Sequence, residues 1–156
     1  MKIAILGGTF DPVHNGHLRA AQAVAEAFAI DEVHFVPAFA PPHKPASGIT
    51  SAFHRFAMVA LAIGPISRFR ISSIESDTLT SRFSVDTLES MHNKYPGASF
   101  LFIAGTDMYN DIDATPRGPS FGPHPDKKSV KWDVYIVCAG SAVTGVVGVV
   151  EGLIRT

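Results

Sequence analysis

Cysteine is nearly absent: Cys138 stands alone among 156 residues, so no intrachain disulfide can form, and a reducing, cytoplasmic compartment is the expectation. An excess of one charge is missing too. Thirteen basic residues against fourteen acidic ones leave a net charge of -1, far from the basic field on which duplex binding rests, so nucleic acid is not an expected partner. Long hydrophobic runs are scarce. Val134 to Val150 is 17 residues without a charge, the lower limit of a membrane span, but glycines 140, 145 and 148 divide it, Asp133 and Glu151 close its ends and no basic cluster flanks it. It reads as β-branched strand pieces, and no membrane association is expected. The apolar start, Met1 to Leu6, is too short for a signal-peptide core and has no small-residue cleavage site, so no secretion signal is expected.

What is present is the material of a globular core. A 46% hydrophobic, 17% charged chain of this length buries roughly two-thirds of its unfolded surface, and one domain over 1–156 is expected. Lys2 to Leu6 is a short apolar run stopped by Gly7-Gly8, a buried strand ending in a turn. From His17 the period changes: Leu18, Ala21, Val24, Ala25 and Phe28 form one stripe of an alanine-rich amphipathic helix. Val33 to Val36, closed by Pro37, is the next strand, and a strand–helix–strand alternation predicts parallel pairing. Ala38 to Ser51 is a proline-rich loop long enough to carry function. A second helix follows, capped by Ser51, with Phe53, Phe56, Val59, Ala60 and Ile63 on its inner face until Gly64-Pro65 stops it. Phe69 to Ser72 is a third strand, Ser84 caps a helix running to about Lys94, and Ser99 to Ala104 is a fourth strand ending at Gly105. Ala114 to Lys128, dense in proline and glycine, reads as loop or disorder. The fold class is α/β, a Rossmann-like parallel sheet with helices on both faces. Ligands bind such sheets beyond the carboxyl ends of the strands, where the strand order reverses, which brings Gly7 to His17 and Gly105 to Asp107 together.

Gly7-Gly8-Thr9-Phe10-Asp11-Pro12-Val13-His14-Asn15-Gly16-His17 is the informative segment. Two histidines three apart at a helix start share a face, Gly16 lets a ligand approach the backbone, and the helix start offers N–H donors to an anion. Phosphate is the expected ligand. Surface histidines at a cap, or a zinc site, are the alternatives. Zinc needs further ligands, and only distant His43 or nearby Asp11 are offered, so no protein-held metal is expected. The dinucleotide fingerprint and the P-loop are both excluded, the first lacking its third glycine and the second its Lys-Ser/Thr.

Residues 7–17 resemble the signature of the H-x-G-H nucleotidylyltransferase superfamily. Pro41-Pro42-His43-Lys44, Ser84-Val85-Asp86-Thr87-Leu88 and Gly105-Thr106-Asp107 look like the matching motifs of the bacterial nicotinate-nucleotide adenylyltransferases, in the expected order over about residues 1–110. The resemblance implies adenylyl transfer from ATP to nicotinate mononucleotide, giving deamido-NAD and pyrophosphate, with Mg2+ accompanying ATP. It assigns His14 and His17 to the ATP phosphates, with Lys44 as a mobile positive charge. The backbone of Gly8, Thr9 and Phe10 becomes the floor shared by the two nucleotide sites, Gly16, Gly105 and Asp107 the ATP side, and Ser84 and Thr87 the border of the nicotinate pocket. Past Asp111 the resemblance ends, so 112–156 is expected to be a divergent segment. A nucleotide-binding remnant without turnover, and a sister enzyme such as phosphopantetheine adenylyltransferase, are the competing readings.

Overall fold

Alternation along the first strand decides the architecture. Ile3 and Ile5 pack to one side, Ala4 and Leu6 to the other, and all four are buried, as only a central strand covered on both faces can be. The computed structural model describes residues 1–39, 48–75, 84–105, 134–139 and 146–152. Its elements are β1 (Lys2–Gly8), α1 (Asn15–Ala27), β2 (Glu32–Pro37), α2 (Ala52–Ile63), β3 (Phe69–Ile71), α3 (Ser84–Lys94), β4 (Ser99–Gly105), β5 (Val134–Ala139) and β6 (Val146–Gly152). They form one six-stranded sheet in the order β3-β2-β1-β4-β5-β6.

Strands β1 to β5 pair in parallel, as the alternation of strands and helices predicts. β6 departs, pairing antiparallel with β5. Only residues 140–145 separate the two, too few for a parallel crossover. The charge-free run from Val134 is thus two strands of the sheet, and among the described residues no helix is long and apolar enough to cross a membrane.

Each face has its own core. On one side Ala4, Leu6, Val33, Phe35, Leu101 and Ile103 meet Ala21, Val24 and Ala25 of α1 and Val59 and Ile63 of α2. On the other, Ile3, Ile5, Val36, Phe100 and Phe102 meet Leu88 and Met91 of α3. Each of the Val, Leu, Ile, Phe and Met side chains among them stabilises the fold by about 1.5–3 kcal/mol relative to exposure. The helices lie on both faces, and the Rossmann-like class expected from the sequence is the class observed.

Two expectations about α2 need correction. Ser51 is its N-cap residue, but the hydroxyl makes no capping hydrogen bond. Phe53 does not face inward: it is 69% exposed, while Arg55 is 1% exposed. Arg55, Val59 and Ile63 are the buried residues of the helix, spaced four apart, and Phe53 lies two positions, more than half a turn, away from that row. The first helix also opens earlier than its apolar stripe predicts, because His14 rather than a serine or aspartate is its N-cap.

Candidate functional site

β1 stands between β2 and β4. The chain runs outward from β1 through β2 to β3, then returns to the other side of β1 as β4, so the order reverses at the β1/β4 boundary. Ligand sites of open α/β sheets form at such a reversal. The register Leu6↔Ile103, continued two residues, brings Gly8 and Gly105 abreast at the exits of both strands. The turn of residues 9–14 starts there and ends on α1.

Two reciprocal bonds fix the histidines of this turn. The Gly16 N–H donates to Nδ1 of His14 at 3.2 Å, and the His14 N–H donates to Nδ1 of His17 at 3.2 Å. The rings stack, with centroids 3.8 Å apart and planes 29° from parallel. A nitrogen that accepts a hydrogen bond carries no proton, so each neutral ring holds its proton on Nε2. Among the described residues neither Nε2 has a partner. Each of the two stacked rings therefore offers one N–H donor that no described residue takes. Burial first, and the neighbouring His14 second, push the His17 pKa below its usual 6.5, which keeps that ring neutral at physiological pH.

Part of the helix start is already occupied: the N–H groups of His14 and Gly16 are taken by the imidazoles, and that of His17 by the His14 carbonyl at 3.0 Å. Gly16 also serves the ring: a Cβ there would meet the His14 imidazole at 3.0 Å, tighter than ordinary contact, so glycine leaves the ring room to fold back over its own helix.

Phe10 supports the pair from beneath. Its backbone is left-handed at φ 50°, a cost of about 1–2 kcal/mol for a non-glycine residue. That conformation places the ring in the core, 2% exposed, with its centroid 5.0 Å from His17 at 73° and 5.8 Å from Phe35. A Cβ on Gly8 would come within 3.2 Å of the same ring.

Arg55 is the residue that sequence reasoning missed. Its Nε donates to the Thr50 carbonyl at 2.8 Å, Nη1 to Thr9 at 2.6 Å and Nη2 to Phe39 at 3.2 Å. The Thr50 N–H donates to Asp11 Oδ2 at 2.8 Å. Burial lowers the Arg55 pKa, and the Asp11 and Glu75 carboxylates oppose that fall. Among the residues expected at a nicotinate pocket, Thr87 is 2% exposed and donates its hydroxyl to Glu75 at 3.0 Å, while Ser84 opens α3 with its side chain outside the described part. Gly105 ends β4. Lys44, His43, Thr106, Asp107 and the 114–128 segment lie outside the described residues.

A second basic cluster lies on the α3 face. His34, 3% exposed, shares a 3.0 Å hydrogen bond with Glu32, whose other oxygen meets Arg70 at 3.1 Å. Tyr95 packs edge-on at 5.3 Å. Burial outweighs the carboxylate here, and the His34 pKa is lowered. Among the described residues no three His, Cys, Asp or Glu side chains converge as metal ligands.

Comparison with known proteins agrees with the geometry. The sequence model of cytidylyltransferase-like proteins matches residues 5–132. A relative from Geotalea uraniireducens, named "probable nicotinate-nucleotide adenylyltransferase", is 47% identical over 112 residues, 72% of this chain and 52% of its own. The chain spans about half the length of the curated relatives it matches. The Plasmodium falciparum nicotinic acid mononucleotide adenylyltransferase, solved as a complex with NaAD, is 25% identical with a TM-score of 0.62, covering 71% of this chain and 55% of that one. A Vibrio parahaemolyticus crystal structure, 21% identical, covers 91% of this chain and 76% of that one at a TM-score of 0.63 and shares the fold.

Proposed function

Because this chain belongs to the cytidylyltransferase-like family, we propose that it transfers the adenylyl group of ATP to nicotinate mononucleotide, forming deamido-NAD and pyrophosphate. The stacked imidazole pair, with both Nδ1 atoms occupied and both Nε2 atoms unpartnered among the described residues, carries this reading. The names of the relatives and the NaAD complex of the Plasmodium protein support the choice of substrates.

The mononucleotide phosphate oxygen attacks the α-phosphorus of ATP, and the bond to the pyrophosphate oxygen breaks. The nucleophile is already anionic, so no covalent enzyme intermediate is required and positioning with charge neutralisation is enough. His14 and His17 donate from Nε2 to the phosphate oxygens as charge moves toward the leaving pyrophosphate. Lys44 adds a positive charge. The backbone of Gly8, Thr9 and Phe10 forms the floor, Gly16, Gly105 and Asp107 belong to the ATP side, and Ser84 borders the nicotinate pocket. Thr87, its hydroxyl committed to Glu75, borders that pocket by its place on α3.

Magnesium enters this reading only as the companion of the triphosphate. The described side chains offer it no cage, and no step above runs through it. The reaction is assigned to the cytoplasm on the strength of a single cysteine.

Pyrophosphate release from the full chain, given ATP and nicotinate mononucleotide, tests the reading. Turnover that requires both substrates is expected. ATP binding without turnover, across a panel including nicotinamide mononucleotide and phosphopantetheine, overturns it and leaves a nucleotide-binding protein.

A further inference from the structure

A guanidinium buried to 1% exposure needs compensation for the water it has lost. Arg55 finds it in three backbone carbonyls on three separate segments: Thr9 just beyond β1, Phe39 just beyond β2, and Thr50 at the approach to α2. A hydrophobic side chain would fill the same space on the inner row of α2 with Val59 and Ile63. Only a planar fork with several N–H groups reaches three carbonyls at once; a lysine ammonium, a single point of charge, does not.

One of those carbonyls has consequences for the histidines. The Thr9 oxygen belongs to the peptide that leads directly into Phe10, and Phe10 is the left-handed residue whose ring meets His17 edge-on. His17 in turn accepts the His14 N–H, and His14 accepts the Gly16 N–H. We infer that Arg55 is the positioning residue of the anion-binding turn: its fork fixes the Thr9–Phe10 peptide, Phe10 fixes the His17 ring, and His17 fixes His14. Asp11 takes part from the other side, accepting the Thr50 N–H of the same residue whose carbonyl Arg55 grips. Arg55 touches no imidazole itself. It acts through a backbone conformation that L residues rarely adopt unaided. This inference rests on the proposed function for its kinetic consequence, and on the structure alone for its effect on the rings.

The test uses the full chain with 15N-labelled histidines, in Arg55→Lys and Arg55→Gln variants, with inorganic tripolyphosphate as the anion probe. Ile63→Val, on the same buried row of α2 but away from the carbonyls, is the control for general loosening. In the folded Arg55 variants the His17 ring loses its single Nε2–H signature in long-range 1H–15N spectra and the tripolyphosphate Kd rises about tenfold. The kcat of adenylyl transfer falls by up to about 100-fold through misplacement, with little change in the KM for the mononucleotide. Ile63→Val leaves these readouts as in the parent chain. An unaltered His17 signature and Kd in folded Arg55→Lys overturns the inference. So does an equal change in Ile63→Val, or failure of both Arg55 variants to fold, since each makes the role purely structural. If the parent chain binds no tripolyphosphate and turns nothing over, the proposed function falls, and the His17 signature alone then decides the role of Arg55.

Discussion

Two histidine clusters sit on opposite faces of one sheet, and they differ in what they leave open. On the α3 face, His34 spends its Nε2–H on Glu32, whose second carboxylate oxygen meets Arg70, so the neutral ring's one donor is used within the protein. On the α1 face, the backbone occupies Nδ1 of both rings, and neither Nε2 has a partner among the described residues. Burial pushes an imidazole pKa down in both places. A lowered histidine pKa therefore does not tell the two clusters apart; the donors left open among the described residues at the strand-order reversal do.

Removing one donor from the open cluster breaks the comparison most severely. His17→Ala is expected to lower kcat/KM for adenylyl transfer by about 100- to 1000-fold, the loss typical of one preorganised donor to a charge-developing centre, measured as pyrophosphate release with folding checked by circular dichroism. His34→Gln, in the closed cluster, is expected to leave that rate within about twofold, because it touches no reacting group. An equal loss from both substitutions would erase the distinction.

Stability separates the regions at the next scale. Arg55→Ala is expected to cost about 3 kcal/mol in urea unfolding, since it leaves buried carbonyls unpaired. Thr87→Val is expected to cost about 1–2 kcal/mol by removing the buried hydrogen bond that the hydroxyl donates to Glu75. Glu75 and Thr87 lie on the α3 side of the proposed site, so this variant also reports whether the nicotinate border needs that bond.

Acid gives the smallest effect. His17 and His34 both have folded-state pKa values below 6.5, so the unfolded chain binds protons more readily, and stability rises with pH. Their contribution is complete above about pH 6.5 and is lost as pH falls through the lowered values. Urea midpoints measured between pH 7.5 and 5 should fall on acidification, and His34→Gln should flatten part of that slope. A midpoint that rises on acidification contradicts the assigned direction.

Much of this was legible in the residues, for physical reasons that also explain the misses. β1 and β4 show as apolar runs because both faces of a central strand are covered. The alanine-rich stripe of α1 shows because Ala21, Val24 and Ala25 pack directly on the sheet. The strand-end glycines and the paired histidines located the candidate site. The histidine pair marks the start of α1 in the sequence, but not His14 as its N-cap, because histidine is not among the usual N-cap residues and here its ring does a serine's work. Arg55 was invisible for a related reason. Hydrophobic periodicity assigns a charged residue to the solvent side and Phe53 to the core, whereas the three carbonyls that bring Arg55 inward come from residues 9, 39 and 50. Such long-range backbone contacts leave no local pattern. The strand character of β6 showed in its β-branched residues, but its antiparallel direction did not, because pairing direction leaves no local pattern.

The central claim is that the two stacked imidazoles are fixed Nε2–H donors to a polyphosphate. Its most direct test is a tripolyphosphate titration of the full chain with 15N-labelled histidines. Nε2–H forms of His14 and His17 are expected in the free protein, with Nε2 proton resonances of both rings shifting together along one binding curve while His34 stays still. An Nδ1-protonated ring in the free protein, or a titration in which neither ring responds, contradicts it.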